Sequence, residues 1–322
     1  MAKRRLMGCS FPVVIVLAIA VLALLIIGFI AGPIGQRMLG GDILPSWLSV
    51  GKPRVELPAE AILNLFGLPV TNTMIATWIT VIVLVGLSYA VTRRMKLVPG
   101  RLQAAFEFLL GWLYDFCTSA AGEENGRRFF PIVTTIFLFV AFNAWLGLVP
   151  GYGSITGVVH GHEEALHLIR PANTDINTPL AIAVVAVFFV QFFGMKTLGR
   201  HYITKFINVG GFFRGAGQIL RGKVGTGFSG MFTGVIEIFV GGLEALSEFI
   251  HIVSFTFRLF GNMTAGEILL LVAVYLIPWV FALPFYGLEL LIGFLQALIF
   301  GGLTLIFLTL SVASHEEAEA EH

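Results

Sequence analysis

The chain has 322 residues, 57% of them hydrophobic and only 12% charged, with a formal net charge of +1. Soluble domains run near about 45–50% apolar and about 25% charged, so a water-soluble fold of this length is excluded and an integral membrane protein is expected. The net charge gives no sign of a nucleic-acid partner; where the charges sit matters more than their sum.

The first apolar run is Phe11 to Ala31, preceded by Lys3, Arg4 and Arg5. It is long enough to span a bilayer at ~20 residues and too long for a signal-peptide core. It reads as a signal anchor with its N-terminus inside, followed by an outer linker. Residues 1–54 thus form an N-terminal extension, and 55–322 the main body. Cys9 sits in "LMGC", but that box precedes the apolar run, so Cys9 reads as a bystander. Cys9 and Cys117 both fall near segments placed on the cytoplasmic side, and no disulfide is expected.

The second run, Val70 to Val91, ends at Arg93, Arg94 and Lys96; the third, Phe129 to Val149, follows Arg127 and Arg128. Between them "LQAAFEFLLGWLYDFCTSAAG" alternates apolar and polar at helical spacing, which predicts an amphipathic helix on the membrane surface. A polar loop, 150–178, leads to a span from Pro179 to about Met195, and then to Lys196, Arg200, Lys205, Arg214, Arg221 and Lys223. The segments between these basic clusters hold only Arg37, Lys52 and Arg54 in one case and Arg170 in the other. By the positive-inside rule the basic clusters are cytoplasmic.

From about Phe232 to Ala313 the sequence is nearly all apolar, punctuated by Pro278 and Pro284. Proline removes a backbone donor and clashes with the preceding turn, so two long helices joined near 278–286 are expected. The first, about 232–277, would measure roughly 70 Å against a hydrocarbon thickness of ~30 Å. It must tilt steeply, bend, or break near Gly261 and Gly266. The fold expected is an all-α integral membrane protein with about five to six membrane helices. They include two long tilted C-terminal helices forming a hairpin, and the amphipathic surface helix is additional. The tail "SHEEAEAEH" reads as a solvated end.

The first long helix carries a polar stripe. Glu237, Glu244, Ser247, His251, Ser254, Arg258 and Asn262 fall within an arc of about 100° at ~100° per residue, with Glu248 at its edge. Serines alone could simply pin helices together. A charge at the bilayer centre, however, costs ~2.5–3.5 kcal/mol on insertion scales, and such residues mark ion pathways or proton relays. Glu267 lies nine positions after Arg258 and points to nearly the opposite side; Glu289 and Gln296 share a face of the last helix. Two polar regions result, one along 237–254 and one around 262, 267, 289 and 296, with Arg258 between them. Carboxylates and histidine can pass protons. Arginine stays charged, so it would stop protons from crossing directly.

"RLFGNMTAGE" preceded by "LEALSEFIHIVSFTF", and "LQALIFGGLTLIFLTLS" near the C-terminus, closely resemble subunit a of the F-type ATP synthase; "FNAWLGLVPG" and "PANTDINTPLAIA" look like the same family's middle helices. The resemblance covers roughly 55–316. It implies a proton-conducting stator subunit of the F0 sector. Two offset half-channels would load and unload the carboxylates of a c-subunit ring, coupling proton flow to ring rotation and ATP synthesis. Arg258 is similar to the family's essential ring-facing arginine. Asn262, Glu267, Glu289 and Gln296 match outer half-channel positions, and Asp175 with Asn177 would line the outer entrance. Glu244 and Ser247 resemble the cytoplasmic exit; His251 and Glu237 join them by helical phase. The implied partners are the c ring, the b subunits of the peripheral stalk, the remaining F0F1 complex and the lipid bilayer. The implied location is a bacterial-type plasma membrane with both termini cytoplasmic. The helix at 11–31 and the outer "HGHEEALH" depart from the family pattern.

That loop sets His162 and His167 five apart, diverging by about 140° on a helix, where a zinc hydrolase needs two histidines four apart. No metal site is expected. A stand-alone proton-coupled secondary transporter is the alternative, but no repeat relates the two halves as such folds often show. No phosphate-cradling loop or nucleophile elbow is present, so neither a catalytic site of its own nor a cofactor is expected.

Overall fold

In a bilayer every backbone polar group must be satisfied within the protein, and helices do this segment by segment. The computed structural model describes residues 5–6, 9–39, 59–65, 67–149, 152, 156–157, 166–167, 169–199, 202, 206 and 224–313. The basic residues Arg200, Lys205, Arg214, Arg221 and Lys223, the stretch His160–Glu164 and the acidic tail lie outside them.

Two short strands, β1 (Arg5–Leu6) and β2 (Cys9–Ser10), pair ahead of α1 (Phe11–Ala31) and the short α2 (Pro33–Leu39). A hairpin of β3 (Ala61–Leu65) and β4 (Leu68–Thr71) leads into α3 (Asn72–Thr92). The Thr71 hydroxyl accepts the Met74 N–H at 3.3 Å, capping one of the unpaired donors at the start of α3. Then come α4 (Arg101–Ala121), α5 (Glu123–Gly147), the paired β5 (Thr156–Gly157) and β6 (Leu166–His167), a 3₁₀ turn at Ala172–Thr174, and α6 (Asn177–Leu198). The long helix α7 (Val224–Leu276), a 3₁₀ turn at Trp279–Ala282 and α8 (Leu283–Ala313) complete the chain.

Among the described residues, stretches in α3, α5, α6, α7 and α8 are long and apolar enough to cross a membrane, and α1 is a further apolar helix of 21 residues. This is an all-α membrane protein with two long C-terminal helices. The expected amphipathic helix is α4. Its inward positions Leu113, Cys117 and Ala121 are spaced by four, as one helical face requires. Two elements differ from the sequence reading. The segment after α1, expected as an outer linker, contains α2 and the β3–β4 hairpin. The first long helix starts eight residues earlier than expected and runs unbroken through Gly261 and Gly266.

The residues form two compact units, each assembled from separated segments. Within one (1–76, 143–174, 261–295), Gly28 of α1 and Gly32 just after it lie so close to Pro278 and Leu276 that a side chain at either would overlap a backbone carbonyl. Gly293 of α8 similarly admits Ala144 of α5, and Trp145 donates its indole N–H to the Leu290 carbonyl at 3.2 Å. Small residues do this work because lipid gives helices no hydrophobic reason to associate, leaving close packing and hydrogen bonds.

Within the other unit (77–142, 175–260, 296–322), Cys117, Phe129, Val133, Val190, Phe193, Leu305 and Leu308 make a buried core from α4, α5, α6 and α8. Phe129 meets Phe193 edge-on at 5.3 Å, and the Arg128 guanidinium sits 5.1 Å over the Phe193 ring. Gly301 and Gly302 of α8 face Val133 and Phe116. A single residue, Gly122 at φ 79°, reverses the chain between α4 and α5.

Candidate functional site

The first unit holds a buried polar cluster in otherwise apolar surroundings. Arg170, 7% exposed, donates from Nη2 to Glu267 Oε2 at 2.9 Å and from Nε to Oε1 at 3.3 Å. The arginine reaches α7 from the polar loop because the turn that follows it is fixed. The Pro171 ring packs where Gly147 leaves room, the Ala172 N–H donates to Asn143 Oδ1 at 3.1 Å, and Ala172, Asn173 and Thr174 are buried.

Glu289 of α8, 6% exposed, lays its carboxylate over Gly266, where any side chain on residue 266 would overlap it. That sets it one residue along α7 from Glu267. Several polar atoms here are buried without a hydrogen-bond partner: Glu289 Oε2, Asn143 Nδ2, both amide atoms of Asn173, and the Thr264 hydroxyl. A buried polar group left unpaired costs about 1–3 kcal/mol, and such groups are the usual partners of internal water. Asn262 is exposed on α7 in this unit.

In the second unit the stripe of α7 is distinguished by burial. Glu237, Glu244, Ser247, His251, Ser254 and Arg258 are all half-buried, whereas Phe239, Val240, Leu243, Leu246, Phe249 and Ile250 are exposed. Arg258 Nη2 donates to Ser254 Oγ at 3.4 Å, and its guanidinium lies 6.0 Å from the centre of the Phe255 ring. Phe255 is buried against Phe300 of α8 at 4.8 Å. His251 stacks on Phe307 at 4.2 Å, with Nδ1 3.7 Å from Glu248.

Tyr202, 3% exposed, donates to Gln191 Oε1 at 2.6 Å, its ring seated against Gly194. Burial pushes the Tyr202 phenol up to about 12, and the carboxylates of Glu248 and Glu244 add to the push. The tyrosine therefore lies within electrostatic reach of the stripe. Gln296 is buried on α8. Asp175 accepts from the Asn177 backbone N–H at 3.3 Å and from its side-chain amide at 3.1 Å, at the start of α6.

The structure thus brings Glu267 and Glu289 together in one unit and lines Glu244, His251 and Arg258 along one helix face in the other. Sequence reasoning missed Arg170, Asn143, Asn173, Thr264 and Tyr202. For Arg170 a signal existed: it is the one basic residue in its loop. For Asn143 the signal was an amide inside the apolar run "FNAWLG". Asn173, Thr264 and Tyr202 gave none, since each sits where a polar residue needs no explanation.

Comparison with known proteins gives one family. The family model described as ATP synthase A chain matches residues 74–309. ATP synthase subunit a of Gloeobacter violaceus is 31% identical over 246 residues, covering 76% of this chain and 85% of the relative. ATP synthase subunit a 3 of Pelobacter propionicus is 32% identical over 232 residues, covering 72% and 83%. ATP synthase subunit a of Nitratidesulfovibrio vulgaris is 32% identical over 232 residues, covering 72% and 82%. The matched residues span α3 to α8 and carry both polar regions, so the chain belongs to the ATP synthase A chain family and is a membrane subunit of the proton-translocating ATP synthase.

Proposed function

We propose that this subunit is the stator of the F0 sector, with two offset half-channels that serve the carboxylates of a c-subunit ring. One half-channel opens outward and uses Asn262, Glu267, Glu289 and Gln296, with Asp175 at its entrance. The other opens to the cytoplasm and uses Glu237, Glu244, Ser247 and His251. Arg258, on the helix that carries members of both sets, is the fixed positive charge that stops a proton from passing between them without riding the ring. Each proton crossing with the field releases about 2.3 kcal/mol per 100 mV, and the ring converts it to rotation. The b subunits of a peripheral stalk hold the stator in place. The membrane is a bacterial-type plasma membrane, with both termini cytoplasmic.

The observation that carries this reading is the buried, partly unpaired polar cluster of Glu289, Asn143, Asn173 and Thr264 beside Glu267. A structural pin would have its polar atoms satisfied by protein; buried unpaired polar atoms are the usual partners of internal water, and ionisable groups among them mark ion pathways. The charge at Arg258 supplies the test. Arg258→Ala in the assembled complex, reconstituted in liposomes, abolishes ATP synthesis driven by an imposed proton gradient. Synthesis at the parental rate with that substitution would sink the assignment.

A further inference from the structure

The two carboxylates of the outer cluster are not equivalent. Both oxygens of Glu267 accept hydrogen bonds from Arg170 in a forked pair, the strongest arrangement available to a carboxylate and a guanidinium. Among the described residues, Oε2 of Glu289 has no hydrogen-bond partner. We propose that Arg170 is a positioning residue that holds Glu267 as a fixed counter-charge, so that Glu289 is the carboxylate that takes up and passes on the proton from the outer side. This rests on the outer half-channel reading above and divides its labour.

Three observations support the division. First, Arg170 is nearly inaccessible, and the turn behind it is tied down by the Pro171–Gly147 contact, the Ala172–Asn143 bond at 3.1 Å and the Thr174 hydroxyl donating to the Pro171 carbonyl at 2.7 Å. The guanidinium is delivered to Glu267 by rigid backbone and not by a loose surface chain. Second, a buried charge in a membrane span is tolerated when it is paired, and the pair spares α7 a lone carboxylate. Third, Gly266 leaves the space beside Glu267 open, and the Glu289 carboxylate fills it. Arg170 reaches Glu267 from the loop, and the Glu289 carboxylate lies one residue away, over Gly266, from α8. The transfer is balanced at Glu289 itself. Its carboxylate takes a proton from water on the outer side, forming an O–H bond, and releases that proton to the ring carboxylate, returning to its starting form.

The test is a double-mutant cycle in the whole ATP synthase, read as ATP-driven proton pumping into membrane vesicles, with subunit content measured in the same vesicles. Taking one charge from a pair held largely out of water costs more than taking both. Arg170→Gln and Glu267→Gln are each expected to lower pumping about tenfold or more, and the double variant Arg170→Gln/Glu267→Gln to pump at least about fivefold better than either. Arg170→Lys, which keeps the charge and loses the fork, falls between the parent and Arg170→Gln. Glu289→Gln is inactive in either background.

A double variant no better than Glu267→Gln would mean that Glu267 itself carries the proton, and would overturn the proposal. So would an Arg170→Gln variant that pumps normally. Should Arg170→Gln fail to assemble, the double variant and Arg170→Lys still decide, because neither buries a lone charge. Arg258→Ala and Glu289→Gln separate the two levels. If either pumps normally, the half-channel reading falls; if both are dead while Arg170 substitutions are silent, only the role of Arg170 falls.

Discussion

Gly266 has no side chain because the Glu289 carboxylate occupies the space a side chain would take. The smallest substitution, Gly266→Ala, therefore forces that carboxylate away from its position beside Glu267. Proton-driven ATP synthesis is expected to fall about tenfold, since a displacement of roughly 1 Å at a reacting group can cost about 10²-fold. The measurement is the initial synthesis rate per assembled complex, and an unchanged rate would show that the placement of Glu289 is irrelevant. At this scale the sequence was informative where chemical contrast was high. Arg258, Glu267 and Glu289 stand out because an ionisable group within an apolar run has few bland explanations. Asn173 and Tyr202 do not stand out, because their significance lies in what folds over them. Both are nearly inaccessible, yet both come from polar stretches where exposure is the default expectation.

Helices α4 and α5 end and begin on either side of one residue, and Gly122 adopts φ 79°, ψ 167° there. That region is essentially closed to residues with a Cβ, at a cost of order 1–3 kcal/mol. Gly122→Val should lower the thermal midpoint of the detergent-solubilised complex by several degrees, an effect of that order on about 1–3 kcal/mol. A midpoint identical to the parent's would contradict the strain argument. The course of α7 narrows what the sequence leaves open. So long a helix can tilt, bend, or break near Gly261 and Gly266, where each interior glycine costs about 1 kcal/mol relative to alanine. That figure holds in water. Within hydrocarbon a broken helix strands its N–H and C=O groups at several kcal/mol each, so the helix holds through both glycines. Pro278 and Pro284, by contrast, mark the join between the two long helices as expected: α7 ends at Leu276, and Pro284 falls in the first turn of α8, where its missing N–H costs nothing.

Across the whole molecule, the apolar faces of α1, α3 and the first half of α7 are exposed, as expected of surfaces that meet lipid or other subunits. The basic residues cluster at chain positions 1–10, 93–128 and 196–223, and the loops between helices predict both termini on the cytoplasmic side. A protease site inserted within 40–58 should be cut from outside intact spheroplasts, and a site appended after residue 322 should be cut only after lysis; the reverse pattern would invert the topology. Much of the architecture was legible at this level, because length and hydrophobicity nearly determine a membrane helix. The long-range pairing of Arg170 with Glu267, 97 positions apart, was not, because nothing local in either sequence encodes its partner.

The unbroken length of α7 also bears on where the membrane voltage acts. Its apolar stretch, Phe228–Leu276, has 49 residues and measures about 74 Å. It fits a hydrocarbon layer of about 30 Å only by running nearer to the plane of the membrane than to its normal. Each residue then gains about 0.6 Å of depth, and the stretch from Glu237 to Arg258 spans only about 13 Å of it. On the proposed cytoplasmic half-channel, a proton following that stripe would move mostly sideways. It traverses less than half of the electrical distance across the bilayer, about 1 kcal/mol per 100 mV, so the greater part of the voltage is left to act on the charge at other points of its route.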